Sequence, residues 1–82
     1  KSCAVAFAPT VRVNCVAPGF VDTEILDFMD DAAMREVIEA TPLKRLGKPE
    51  EIAEMVAFLL SDRSSFTTAQ TVLASGGQAT LP

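Results

Sequence analysis

The chain has 82 residues, 49% of them hydrophobic and 22% charged, and seven basic against eleven acidic residues give a net charge of −4. That is at most one small domain, and it is too rich in Val, Leu and Ile for a disordered tail. There is no His, Tyr or Trp, which removes His-assisted nucleophiles, a phenolic acid or base and most zinc sites before any motif is read.

Residues 1–8 carry Ala, Val and Phe without a breaker until Pro9, the pattern of the last two turns of a helix. A lone helix that short is unstable in water and needs tertiary contacts. The apolar run from Cys3 to Ala8 is too short for the core of a signal peptide, and no run approaches the length of a membrane span. Cys3 and Cys15 stand among small apolar residues without C-x-x-C spacing. They are expected as buried free thiols in a reducing, cytoplasmic setting.

Residues 11–17 are short and β-branched, with Val11, Val13 and Cys15 on one face and Arg12, Asn14 and Val16 on the other. This predicts a strand, ended by Pro18-Gly19 and buried on both faces as in a parallel sheet. For Asn14 a strand-face polar residue satisfied by its neighbours is favoured over a catalytic role.

The stretch from 18 to 42 is acidic. Asp22, Glu24, Asp27, Asp30, Asp31, Glu36 and Glu39 have only Arg35 among them. The ordinary behaviour of surface charge favours a solvated helical face over a docking site for a basic partner. Asp22-Thr23 offers an N-cap for a short turn at 24–29, and Asp30 or Asp31 caps a second helix running to about Ala40. Met34, Val37 and Ile38 give that helix one apolar stripe, and Thr41-Pro42 closes it. Two short helices in an acidic excursion suggest a flap. The basic trio Lys44, Arg45 and Lys48 is too small for nucleic acid, and solvation is favoured over phosphate contact.

The segment 49–61 is the clearest helix. Pro49 suits the first helical position, Glu50 and Glu51 suit the positive end of the dipole, and Ile52, Val56, Leu59 and Leu60 recur at helical spacing. Met55, Ala57 and Phe58 widen the apolar surface, which predicts burial on more than one side, in a larger core or an oligomer interface. Ser64-Ser65-Phe66 can add one helical turn. Residues 70–74 read as a second strand, ended by Ser75-Gly76-Gly77. Two strands separated by helices form a β-α-β unit with parallel pairing. The fold class is therefore α/β: the C-terminal β-α-β portion of a Rossmann-type doubly wound parallel sheet, with two strands and three to four helices. Such a pair needs further strands and covered faces, and the rest of the sheet is expected before Lys1.

The residues Arg12-Val13-Asn14-Cys15-Val16-Ala17-Pro18-Gly19-Phe20-Val21-Asp22-Thr23 resemble the R-V-N-x-V-x-P-G-x-(I/V)-x-T stretch of the short-chain dehydrogenase/reductase family. Pro42-Leu43-Lys44-Arg45-Leu46-Gly47-Lys48-Pro49-Glu50-Glu51-Ile52-Ala53 is similar to that family's P-L-x-R-x-G-x-P-E-E-I-A run. Phe58 to Asp62 and Ser64 to Gln70 continue the match, which covers the chain from about Ala4 to Gly77. The resemblance implies the last third of a single NAD(P)-binding Rossmann-type domain, spanning residues 1–82, in an enzyme that moves a hydride between an alcohol or ketone and NAD or NADP.

It also implies site roles. Pro18 and Gly19 sit beside the nicotinamide, the Val21 backbone bonds its carboxamide, and the Thr23 hydroxyl bonds the carboxamide or the pyrophosphate. Phe20, Phe28 and Met29 either line a substrate pocket or pack the flap locally. The family's Gly-rich turn, its Tyr-x-x-x-Lys pair and the Ser partner are absent from these residues. The 82-residue chain alone is thus expected to hold no catalytic residue, no metal and no cofactor, and to meet a small-molecule substrate only in the intact enzyme. Helix 49–61 and strand 70–74 are implied as a self-association face; no nucleic-acid or membrane partner is expected. The family's pattern has Gly where Ala69 stands and Asp where Ser75 stands, so Ala69 is expected to strain a turn that wants positive φ.

Overall fold

A computed structural model describes residues 2–78. Helix α1 (Ser2–Phe7) is followed by strand β1 (Cys15–Pro18), a 3₁₀ turn at Glu24–Phe28, helix α2 (Asp31–Ala40), helix α3 (Pro49–Leu60), a second 3₁₀ turn at Asp62–Ser64 and strand β2 (Thr71–Ala74). The strands pair in parallel, with Cys15 opposite Thr71 and Pro18 opposite Ala74. The expected α/β unit is therefore present, with two strands and three α-helices among the described residues.

Several boundaries differ from expectation. The ladder begins at Cys15, not Val11. Val13 is already engaged elsewhere: its N–H donates to Thr68 Oγ1 at 3.1 Å and its carbonyl accepts from Ala69 N at 2.9 Å. Pro18 is the last strand residue, and Gly19 continues the ladder by donating to the Ala74 carbonyl at 3.0 Å. Strand β2 starts at Thr71, one residue after the expected position. The turn expected at 64–66 forms at Asp62–Ser64, because Ser61 Oγ accepts from Arg63 N–H and starts it early. Helix α2 is capped by Asp30, whose Oδ1 accepts from Ala33 N–H at 2.7 Å.

The core is thin. Ala4 and Leu59 are the buried hydrophobic residues among those described. Leu59 is the buried residue of α3, the helix that packs against β1. Leu60 is 80% exposed, and Val56 and Phe58 are exposed as well, so the predicted burial of this helix on several sides is not met by the described residues. The two thiols are free but exposed, not buried as expected. Small apolar neighbours in sequence do not bury a side chain unless a second layer covers its face, and the described residues supply none over Cys3 or Cys15.

Arg12 ties the layers together. Its Nη1 donates to the Leu59 carbonyl at 3.1 Å, to Ser64 Oγ at 3.1 Å and to the Thr67 carbonyl at 3.3 Å, and Nη2 donates to the Ser61 carbonyl at 3.1 Å. The last carbonyls of a helix lack intrahelical partners and carry partial negative charge. A guanidinium answers both needs. Asn14 is satisfied as expected, donating to the Thr67 carbonyl and accepting from Gln70 N–H.

Candidate functional site

The two parallel strands end side by side, and the chain leaving β1 runs along that edge. A Cβ at Gly19 would stand 2.9 Å from both Ser75 Cα and Ser75 Cβ, so only glycine lets the β1 exit lie against the turn after β2. Two residues on, Val21 forms a parallel bridge with Gly47. Gly47 N–H donates to the Phe20 carbonyl at 3.0 Å, and Asp22 N–H donates to the Gly47 carbonyl at 2.9 Å. In a parallel bridge the flanking residues make the bonds. The N–H and C=O of Val21 itself therefore face away from Gly47, and neither makes a backbone hydrogen bond among the described residues.

Thr23 follows in extended conformation (φ −134, ψ 169). Its carbonyl accepts from Leu26 N–H, but its hydroxyl makes no cap bond, so the expected N-cap is made by backbone alone. Gly19, Val21 and Thr23 thus lie along one short exit loop that starts directly after Pro18, the last residue of β1. Sequence reasoning missed Gly47, the bridge partner that orients Val21, although it is the glycine of the P-L-x-R-x-G run.

The flap is as acidic outside as expected. Asp22, Glu24, Asp27, Asp30, Asp31, Glu36 and Glu39 are all exposed, while Met34, Val37 and Ile38 are half-buried. Phe28 is 92% exposed, so local packing does not account for it. Phe20 lines a cavity of about 190 Å³ together with Leu43, Ile52 and Leu73.

Arg45 and Glu51 also line that cavity. They form a bidentate pair with N–O distances of 2.7 and 2.9 Å, and Glu51 Oε1 also accepts from Lys48 N–H at 2.9 Å, reaching back over the start of α3. The Arg45 hydrogen bond first, then the Lys48 amide, lower the Glu51 carboxyl from 4.5 to about 2. Two members of the basic trio are thereby committed, since Lys44 pairs with Glu39 at 3.6 Å and donates to the Glu39 carbonyl. Among the described residues no cluster of His, Cys, Asp and Glu is arranged to hold a metal, and no helix is long and apolar enough to cross a membrane. The exit loop offers one outward-facing backbone N–H and C=O, one hydroxyl and an apolar wall.

A family model described as enoyl-(acyl carrier protein) reductase matches residues 1–79. The 3-oxoacyl-(acyl-carrier-protein) reductase of Chlamydia trachomatis is 46% identical over 69 residues, covering 84% of this chain and 28% of that protein. Among solved structures, a short-chain dehydrogenase/reductase (glucose/ribitol dehydrogenase) from Brucella melitensis superposes with a TM-score of 0.90 at 41% identity, covering 98% of this chain and 33% of the other. YwfH, an NADPH-dependent reductase of bacilysin biosynthesis, superposes with a TM-score of 0.87 at 30% identity over 99% of this chain and 35% of its own. A parallel α/β edge with a Pro-Gly strand exit and this pattern of matches has one reading: the chain belongs to the short-chain dehydrogenase/reductase family. It spans less than a third of the length of the curated relative described above.

Proposed function

We infer that these residues serve as the C-terminal part of the NAD(P)-binding domain of a short-chain oxidoreductase, carrying the loop beside the nicotinamide and the substrate flap. The observation that carries this is the Val21–Gly47 bridge, which leaves the Val21 N–H and C=O facing outward at the C-terminal edge of the sheet. Ligands of open α/β sheets bind at that edge. In this reading Val21 fixes the carboxamide through its backbone. Thr23 adds a hydroxyl that no helix cap consumes. Gly19 brings the backbone close because it has no side chain. Phe28, exposed on the flap, meets the apolar part of the substrate. Bound NAD or NADP would supply the hydride-transferring ring; these residues would bind and orient it. The sequence holds no Tyr and no Gly-rich phosphate turn, so the 82-residue chain alone is expected to turn over nothing.

The test is cofactor binding and NAD(P)H oxidation with a carbonyl substrate by the full natural protein. Thr23→Val should weaken cofactor affinity by about threefold to tenfold, the worth of one hydrogen bond. Absence of any NAD(P)H binding by that protein, or turnover by the isolated 82 residues, would overturn the reading.

A second reading has its own support. The apolar face of α3, with Leu60 80% exposed, continues to a β2 edge that no described strand pairs. Self-association through α3 and β2 would cover both, and the chain would then act as an assembly module. Sedimentation showing a stable, cooperative monomer at low concentration would dismiss it.

A further inference from the structure

We propose that the turn after β2 positions the flap: Gly76 and Gly77 leave the space in which the return arm Thr41-Pro42-Leu43 is seated. The inference deepens the reading above and rests on it for its functional meaning. Both glycines have positive φ, 63 and 90. A Cβ on Gly76 would lie 2.9 Å from Thr41 Cγ2, and one on Gly77 would lie 2.9 Å from Pro42 Cγ. The arm is bonded as well as packed, because Leu43 N–H donates to the Gly76 carbonyl at 3.1 Å. Thr41 is buried, and its Oγ1 donates to the Val37 carbonyl at 2.9 Å, so it fixes the end of α2.

The same turn touches the other side of the site, since Ser75 is the residue against which Gly19 packs. Beyond the arm, Gly47 bridges Val21. Among the described residues, the Ser75-Gly76-Gly77 backbone therefore meets both the β1 exit and the end of the flap. A side chain at 76 would push the arm outward, moving α2 on one side and the Gly47 bridge on the other. The strand pair, bonded independently, would stay.

Amide hydrogen exchange in the full natural protein reads this directly and needs no activity. Gly76→Ala should speed exchange at Leu43, Gly47 and Asp22 by about tenfold or more, leaving Cys15 and Gly19 unchanged. Thr41→Ser keeps the bond to Val37 and removes only the obstructing methyl, so in the Gly76→Ala background it should slow those amides again. Pro42→Ala, which leaves the turn intact and trims the ring against Gly77, should speed Leu43 in the same direction if Gly76→Ala does not fold. Equal acceleration at all amides, no change at Leu43 in either variant, or no rescue by Thr41→Ser would overturn the proposal. Those outcomes leave the oxidoreductase reading untouched, because it is judged on cofactor binding.

Discussion

Ala69 and Lys44 both hold positive φ, 63 and 59, but they differ in what the strain supports. Ala69 has only a methyl group, which makes no hydrogen bond, and its N–H bond to the Val13 carbonyl belongs to the backbone. Ala69→Gly should therefore stabilise the fold by about 1 kcal/mol, seen as a higher urea midpoint at unchanged slope. Lys44 uses its side chain to reach the Glu39 carbonyl at 2.6 Å, so the same exchange there should be close to neutral. Glu51 gives a pH signature. Its native carboxyl is lowered to about 2, so it binds protons less readily than the unfolded chain. The stabilisation is complete above pH 4.5 and is lost as the pH falls toward 2. Glu51→Gln retains an oxygen for Lys48 N–H but turns its amide NH₂ toward Arg45 Nη2, so the stability gap between wild type and variant reports the charge together with the second Arg45 bond. That gap should be small, close across this window in an acid titration and shrink in high salt, because the pair is exposed.

The helices show what local sequence can specify. The Met34, Val37, Ile38 stripe defines α2 from local pattern, with Asp30 or Asp31 as its cap until the structure selects Asp30, and Pro49 with Glu50 and Glu51 defines α3 to within a residue. The strands are less legible, because a ladder starts where a partner strand permits and not where β-branched residues begin. Alternation places Arg12 only on a strand face. Its role as the cap of α3 depends on carbonyls 47 and 49 positions away, which no local pattern encodes. Arg12→Ala should cost about 2–3 kcal/mol in chemical denaturation, since it strips a charged donor from two carbonyls at the end of α3, the Thr67 carbonyl and the Ser64 hydroxyl. Arg12→Lys should recover only part of this, because an ammonium cannot span the same fork of acceptors.

At the scale of the molecule the outstanding quantity is uncovered apolar surface. A radius of gyration of 15.3 Å exceeds the roughly 12 Å expected of a compact chain this long. With Ala4 and Leu59 as the buried hydrophobic residues among those described, burial alone does not offset the ordering of so many residues. If a second copy covers α3 and β2, the melting temperature of the 82-residue polypeptide should rise with its concentration, and Leu60→Lys should abolish that dependence. A melting temperature independent of concentration would remove self-association as the source of stability.

By itself the sequence determined the family, the order of elements, the start of α3 and the strand exit holding Pro18, Gly19, Val21 and Thr23, and it narrowed the cap of α2 to Asp30 or Asp31. These are local patterns or short motifs, readable because helix periodicity, capping and turn chemistry act within a few residues. Only the tertiary structure decided which groups meet. Gly47 turning the Val21 backbone outward, Ser75 lying against Gly19, Arg12 closing α3 and Gly76 seating Thr41 each join residues distant in the chain. Such contacts are fixed by how strands and turns stack, and a glycine's value there lies in the neighbour that its missing side chain admits.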